Sequence, residues 1–342
     1  MKKKTFYVKR NTFLVFPAAR LSHSTHSFEF ESKEMFVKPK SFFTFPPRKL
    51  KSRLYQTQIN FFVPNQQKKY SLNDFTIGEL AGEGSWSSVY EVVEKNTNKT
   101  FAMKVIPKYK LFDEKLNKQI QNEILIHSTL KHRNIIELFG SFESDSSIHL
   151  IIEFALHGEL FHILRSEKIF SNERSATYIR DIAKALEYCH NNNVIHRDLK
   201  LENILLSQNG DIKIADFGWA KQSLVRSSTF CGTLEYLSPE MIFGNYYGFE
   251  VDLWSLGILM HEFLVGKTPF SSTSHLCESK FKLMKEIMYA KFSYNTSNFC
   301  NLSQDLIEKL LDRNINTRLT AKDIPKHPWI IKYATSASFF VQ

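Results

Sequence analysis

The hydrophobic positions change period along the chain. Near Tyr70, Phe75-Thr76-Ile77-Gly78 reads as a strand, a Gly-rich turn follows, and Val89-Tyr90-Glu91-Val92-Val93 reads as the returning strand. Asn96 to Lys99 make a turn, and Thr100 to Ile106 form a third strand. Over residues 111–130 the spacing is helical, with Leu116, Ile120, Ile124 and His127 along one face. Strands around Leu138 and Leu150 complete a small sheet with one helix. Beyond Gly158 the pattern is mostly helical, over 159–165, 172–192, 251–265 and 303–312, and no internal repeat appears. The fold class is therefore α+β with two lobes: a small antiparallel β-sheet lobe with one main helix (71–154) and a larger, mainly helical lobe (155–331). Residues 332–342 are a short C-terminal tail.

Residues 1–70 lack such periodicity. They mix Lys, Ser, Phe and Pro (Phe42-Phe43, Pro46-Pro47, Phe61-Phe62) and are expected to be a disordered, Phe-rich extension. They hold 15 Lys and Arg against 3 Glu, so they carry +12 and the remainder −2, which gives the chain its +10. A basic tail suits an acidic surface such as a microtubule, a nucleic acid or an anionic membrane, and it reads equally as a solvated extension. Some of its Phe rings would dock on a partner or on the folded part. The first acid is Glu29, so a mitochondrial presequence stays open, whereas Phe13 to Phe16 is too short and too soon broken by Pro17 for a secretory signal. No apolar run approaches the roughly 18 to 20 residues of a membrane span. Cys189, Cys231, Cys277 and Cys300 form no close pairs, which argues against a disulfide framework or zinc site and for a reducing compartment, cytoplasm or nucleus.

Three stretches carry chemistry and a further pair reads as scaffold. Gly82-Glu83-Gly84-Ser85-Trp86-Ser87-Ser88-Val89 lies between two strands, where glycine lets backbone amides approach phosphate oxygens; alone, it reads as well as a plain hairpin. Ala102-Met103-Lys104-Val105 sets a lysine on an apolar strand, where it needs a partner, and Glu123 in the following helix is placed to supply one. The decisive stretch is His196-Arg197-Asp198-Leu199-Lys200-Leu201-Glu202-Asn203, followed by Asp216-Phe217-Gly218. Phosphoryl transfer needs positioned charge more than covalent chemistry. Asp198 can accept the hydrogen bond of an attacking hydroxyl, Lys200 can neutralise the γ-phosphate of ATP, and Asn203 and Asp216 can bind Mg²⁺ through oxygen. Finally, Ser238-Pro239-Glu240 and Val251 to Gly257 read as scaffold: Glu240 is expected to pair with Arg318, and Asp252 to hold the catalytic-loop backbone.

With these signatures in order from Leu72 to Trp329, the chain resembles the eukaryotic protein kinases, and among them it is similar to the Aurora family of serine/threonine kinases. The closer match is carried by Asp216-Phe217-Gly218-Trp219, Ser228 to Leu237, Val251 to Gly257, Phe263 to Gly266 and His327-Pro328-Trp329-Ile330. The resemblance implies a bilobal kinase fold using ATP and Mg²⁺. It implies that Gly82 and Gly84 cover the phosphates, Lys104 holds the α- and β-phosphates and Glu123 orients it. Ile152 would be the gatekeeper, Glu153 and Ala155 the hinge contacts to adenine, and Val89, Ala102 and Leu205 the purine sandwich. His127, Leu138, His196 and Phe217 would form an apolar spine between the lobes. It further implies an activating partner docking on the small lobe, and a role in mitosis with spindle or centrosome association. The chain departs from the family pattern at Ser87 (glycine expected), at Leu201 and Ser238 (proline expected), and in a longer, more polar 271–300.

Lys200, and Thr233 within reach of Asp198, favour serine and threonine acceptors. Glu159 and Glu202 match positions that face substrate arginines in related kinases, giving basic, Arg-directed substrates; Glu159 alternatively meets only ribose or solvent. Thr229 lies three residues after Arg226, so phosphorylation by another copy of the chain is expected there, with Arg197 and Lys221 receiving the phosphate. Cys231 is either a redox brake or a packed thiol. The rival readings are a pseudokinase scaffold, a kinase of a neighbouring basophilic group, and a chain whose tail is its main function. Retention of Lys104, Glu123, Asp198, Asn203 and Asp216 argues against the first.

Overall fold

The computed structural model describes residues 69–335 apart from Ser85, 223–226, 271–276 and 291–297. The expectations for residues 1–68, and for Arg226, lie outside the described residues. The small lobe is a five-stranded antiparallel sheet in the order β1-β2-β3-β5-β4: β1 Phe75–Glu83, β2 Ser88–Glu94, β3 Thr100–Pro107, β4 Leu138–Glu143 and β5 Ser147–Glu153. Strand β1 runs beyond Gly78 because its ladder to β2 continues, through two irregularities, to the Gly82–Val89 and Glu83–Ser88 pairs. The single long helix here, α1 (Glu114–Thr129), starts later than its apolar spacing suggests, because Asp113 caps it by accepting from the Lys115 amide. Its Leu116, Ile120 and Ile124 pack on Ile106, Leu138, Ile148 and Leu150 of the sheet.

In the large lobe, a strand of two residues, β6 (Gly158–Glu159), leads into α2 (Leu160–Glu167) and α3 (Asn172–Asn191), and β7 (Val194–Ile195) precedes the catalytic loop. Beyond the loop, β8 (Ile204–Leu206) and β9 (Ile212–Ile214) join β6 in a small sheet, and β10 (Lys221–Gln222) pairs with β7. After α4 (Pro239–Ile242), helix α5 (Glu250–Val265) runs through the middle of the lobe, buried from Val251 to Leu264. A side chain at Gly257 would strike Leu310 and Leu311, so glycine there sets how closely α5 packs on α7 (Asn301–Leu310). The lobe ends at α8 (Pro328–Tyr333).

The sequence reading did not name the short strands β6 to β10 or the helices α4, α8 and α6 (Cys277–Tyr289), and α6 is the longest of these. Helix α6 falls in the polar 271–300 stretch; Leu283 and Ile287, one turn apart, are its buried apolar anchors, too few to stand out as a period. Among the described residues, no helix is long and apolar enough to cross a membrane.

Candidate active site

Strand β3 sets Lys104 opposite Val89 and Leu150, facing α1. Its Nζ lies 2.5 Å from Glu123 Oε1 and 3.6 Å from Asp216 Oδ1. Burial alone would lower the Lys104 pKa, but the two carboxylates outweigh it and hold the ammonium above the usual lysine range. The Lys104 charge, working against burial, holds Asp216 below the usual carboxylate range.

The second cluster is built on α5. Asp252 Oδ2 accepts from the His196 amide at 3.0 Å, and its Oδ1 from the Arg197 amide at 2.9 Å, while His190 Nε2 sits 2.9 Å from Oδ2. Burial works to raise the Asp252 pKa, but His190 and the amides keep it low, so a charged carboxylate holds the loop. That anchor sustains Arg197 at φ +69, a conformation costly for a side-chain-bearing residue. Next to it, Asp198 is fixed at both oxygens. Oδ1 accepts from the Thr233 amide (3.1 Å) and hydroxyl (3.0 Å), and Oδ2 lies 3.0 Å from Lys200 Nζ. Lys200 also donates to Thr233 Oγ1 at 2.9 Å. Asn203 Nδ2 donates to the Asp198 carbonyl at 2.7 Å and to Oδ2 at 3.1 Å.

The clusters are joined by the Ala215 amide donating to Asn203 O (2.9 Å) and by Phe217, whose ring lies 5.0 Å from His127 and 5.1 Å from His196. The imidazole at His127 is compatible with this buried stack because its Nε2 meets Ile136 O at 2.7 Å and burial pushes its pKa down to about 4. It is neutral, with the proton on the nitrogen that meets the carbonyl.

The residues fit a divalent cation. The Asn203 amide nitrogen is used by Asp198, so its oxygen is the donor left for a metal, and the Asp216 side chain is 49% exposed to the cleft. Two hard oxygen donors match Mg²⁺, which takes its other ligands from phosphates and water. For the nucleotide, Ala102 stands opposite Ile152, and Leu205 opposite Glu159 and Lys213. The Glu153 amide donates to Glu137 O (2.9 Å), and its carboxylate pairs with Lys213 at 2.7 Å, tying the hinge to the large lobe. The Ala155 carbonyl accepts from Gly158, so its N–H is the hinge group that can face a base. Space beside Gly82 is open, while the Gly84 amide closes the turn onto Ser87 O at 2.8 Å, a bond that needs no third glycine.

Glu159 and Glu202 are half-buried, and burial, opposed by His162 and aided by the Glu202 charge, lifts the Glu159 pKa. The sequence reading missed two further carboxylates of this face, Glu235 and Glu262. Glu262 bonds the Tyr236 hydroxyl; burial pushes its carboxyl up to about 7, with Glu202 and Glu235 adding to the effect against Tyr236 and Arg165. Glu262 sits in the apolar pattern of α5, where an isolated acid was its only signal.

Thr229 is exposed, its hydroxyl 3.4 Å from Ser227 Oγ, which Lys221 approaches to 3.3 Å. Arg197, expected to receive a phosphate on Thr229, has other partners in this unphosphorylated chain. Its guanidinium donates to Trp219 O (2.7 Å) and Tyr247 OH (3.3 Å), and Tyr247 in turn donates to Thr229 O. Cys231 is buried and burial pushes its thiol up, which favours packing over redox chemistry. Arg318 grips Glu240 with two bonds, 2.6 and 3.1 Å, both partners buried. Ser238, where the family has proline, leaves a buried hydroxyl without a partner.

The protein kinase domain family matches residues 75–330. Aurora kinase A-A of Xenopus laevis is 42% identical over 274 residues, 79% of this chain and 66% of that protein. The Aurora kinase of Schizosaccharomyces pombe is 42% identical over 273 residues, covering 79% and 75%, and the serine/threonine-protein kinase Aurora-1 of Arabidopsis thaliana is 39% identical over 275 residues, covering 80% and 92%. The chain thus spans slightly under two thirds of the frog protein and nearly all of the plant one.

Proposed function

Since the chain belongs to the Aurora family of serine/threonine protein kinases, we propose that it transfers the γ-phosphoryl group of ATP to serine and threonine hydroxyls of arginine-bearing proteins. The observation that carries this reading is the continuous network from Glu123 through Lys104, Asp216 and Phe217 to Asn203, Asp198, Lys200 and Thr233. Asn203 and Asp216 would hold Mg²⁺, which when bound neutralises charge on the phosphates. Lys104 binds the α- and β-phosphates and Lys200 the γ-phosphate. The acceptor oxygen forms its bond to phosphorus as the bond from phosphorus to the β-bridging oxygen breaks; ADP leaves, and the hydroxyl proton passes to Asp198. Val89, Ala102 and Leu205 enclose the purine, with Glu153 and Ala155 giving backbone contacts to its edge.

The half-buried Glu159, Glu202 and Glu235, with the buried Glu262 behind them, make an acidic environment that supports arginine N-terminal to the acceptor. Phosphate on Thr229 raises turnover by engaging Lys221 and drawing Arg197 from Tyr247. The basic N-terminal segment addresses the enzyme to an acidic surface such as a microtubule, an activating partner docks on the small lobe, and the substrates are proteins of mitosis at spindle or centrosome. The test is a degenerate-peptide screen with full-length protein, ATP and Mg²⁺, beside Asp216→Asn. Arginine-selective serine and threonine phosphorylation that the variant lacks is expected. Equal phosphate incorporation by both proteins would refute the assignment of Asp216, and no incorporation by either would leave a scaffold. Thr229→Ala with unaltered turnover would remove the switch.

A further inference from the structure

The segment that follows the metal-binding aspartate turns three consecutive carbonyls away from its own backbone ladder, and each is captured by a side chain from elsewhere. Gln119 Nε2, on α1, donates to Gly218 O at 2.7 Å; Arg197 Nε, in the catalytic loop, donates to Trp219 O at 2.7 Å; Asn122 Nδ2, one turn beyond Gln119, donates to Ala220 O at 3.0 Å. These carbonyls belong to a strained stretch. Asp216 sits at φ +60, and the Gly218 amide holds it by donating to Asp216 Oδ1 at 3.2 Å. A residue in that region persists only where its surroundings over-determine it. Gly218 is also crowded by the catalytic pair, since a methyl there would lie 3.3 Å from Glu123 Oε2. Gln119, Asn122 and Glu123 therefore converge on the same few atoms: two fix the backbone, and the third pairs with the lysine that contacts Asp216.

We propose that Gln119 and Asn122 are positioning residues that lock α1 against the 216–220 segment, so that the Lys104–Glu123 pair and Asp216 stay in register without a phosphate on Thr229. Both α1 amides are neutral and bind neutral carbonyls, so the lock does not depend on protonation and is not screened as an arginine–phosphate pair is. The third donor, Arg197, is occupied while Thr229 is unphosphorylated, and the Thr229 hydroxyl meets another hydroxyl, that of Ser227, rather than a cation. The arrangement holds α1 by amides and leaves phosphorylation to add to an ordered enzyme rather than to create one. This rests on the kinase reading above, yet it can fail separately.

The experiment uses the full chain carrying Thr229→Ala, with and without Gln119→Ala/Asn122→Ala. Hydrogen exchange of residues 114–129 and 216–222 is followed by mass spectrometry, and turnover of an arginine peptide is measured in parallel. Each such bond is worth roughly fivefold in an equilibrium, so about tenfold faster exchange of both segments is expected, with exposure trimming the product. Turnover should fall about tenfold and peptide KM should not move, as both bonds end on the Gly218 and Ala220 carbonyls rather than on Asp198, Glu159 or Glu202. Gln119→Glu, which keeps the shape and removes the N–H donor, should match alanine; Gln119→Lys, which keeps a donor, should restore the parent. The same exchange increase should persist in 0.5 M salt. Unchanged exchange in the double variant overturns the lock, as does equal behaviour of Gln119→Glu and Gln119→Lys. Absence of turnover in the wild-type chain would count against the kinase reading alone, because the exchange measurement still decides the lock.

Discussion

Replacing Gly232 by alanine should injure catalysis far more than folding. Gly232 sits at φ +99, and a methyl there would stand 2.7 Å from Arg197 O, 3.3 Å from Leu237 Cδ2 and 3.6 Å from Asp198 Oδ1. Reaching ordinary contact at 3.4 Å requires a displacement of about 0.7 Å, along the carbonyl of the residue that precedes the catalytic aspartate. That carbonyl cannot yield freely, since the Arg197 amide is tied to Asp252. The alternative is that Thr233 moves away, which breaks its two bonds to Asp198. A misplacement near 1 Å costs on the order of a hundredfold, so kcat should drop about 10- to 100-fold. The backbone penalty of about 1–3 kcal/mol should lower Tm by about 5 °C in a domain of this size. Gly244→Ala is the control. It shares a positive φ, +69, but has nothing within 4 Å, so it should show a comparable loss of Tm with kcat unchanged. Steady-state kinetics with ATP and an arginine peptide, beside calorimetry, separate the two. A Gly232→Ala enzyme within twofold of the parent in kcat, or a Gly244→Ala enzyme equally impaired, would refute the argument.

Three further outcomes follow from the site. His127 is neutral when folded, with its pKa pushed down to about 4, against 6.5 when exposed; the unfolded chain takes up the proton first, so stability is full above pH 6.5 and is lost as the pH falls towards 4. About 3 kcal/mol is at stake, roughly 2 of it by pH 5, and urea midpoints that decline no faster than those of His127→Leu between pH 7.5 and 5 would contradict this. Arg318→Leu strands the buried Glu240 carboxylate and should cost about 3–5 kcal/mol, near 10 °C in Tm, with Glu240→Met/Arg318→Leu recovering most of it; a single variant that melts like the parent would show the pair to be dispensable. Thr233→Ala removes a hydroxyl shared by Asp198 and Lys200 and should lower kcat about 10- to 100-fold, whereas Thr233→Ser stays within a few-fold; equal kcat for the two variants would count against it.

What could be read from the sequence divides along physical lines. Groups whose chemistry demands a fixed spacing were visible: Asp198, Lys200 and Asn203 on one short loop, a lone lysine on an apolar strand requiring Glu123, and Glu240 requiring Arg318. The two lobes followed from strands alternating near Tyr70 and helical periods beyond Gly158. Position-dependent features were not visible. Gln119 and Asn122 are polar residues on a polar helix face, and nothing local distinguishes an amide bound to a distant carbonyl from one bound to water. Glu235 and Glu262 join Glu202 only after folding, and the tautomer of His127 depends on the Ile136 carbonyl, which lies across a turn. Helix α6 escaped because two buried residues do not make a period. Arg197 could be placed beside Asp198, but its unphosphorylated partners, Trp219 and Tyr247, are set by tertiary contacts.

The neutral stack and the charged clusters constrain one another. Lys104 is close enough to disfavour protonation of His127, after burial the main force that keeps that ring neutral against its bond to Ile136. An uncharged His127 lets Phe217 lie between it and His196, and Phe217 seated there turns Asp216 towards Lys104. A low-dielectric wall in turn strengthens the Lys104–Glu123 attraction beyond what water would allow. Each condition requires α1 in a single place, because Glu123 and His127 are one turn apart on it. The geometry of the Lys104–Glu123–Asp216 cluster therefore depends on the seating of α1 on the 216–220 segment. Substitutions at Gln119, Glu123 and His127 act on that same motion, so their effects should combine less than additively, as expected for residues coupled through a shared shift.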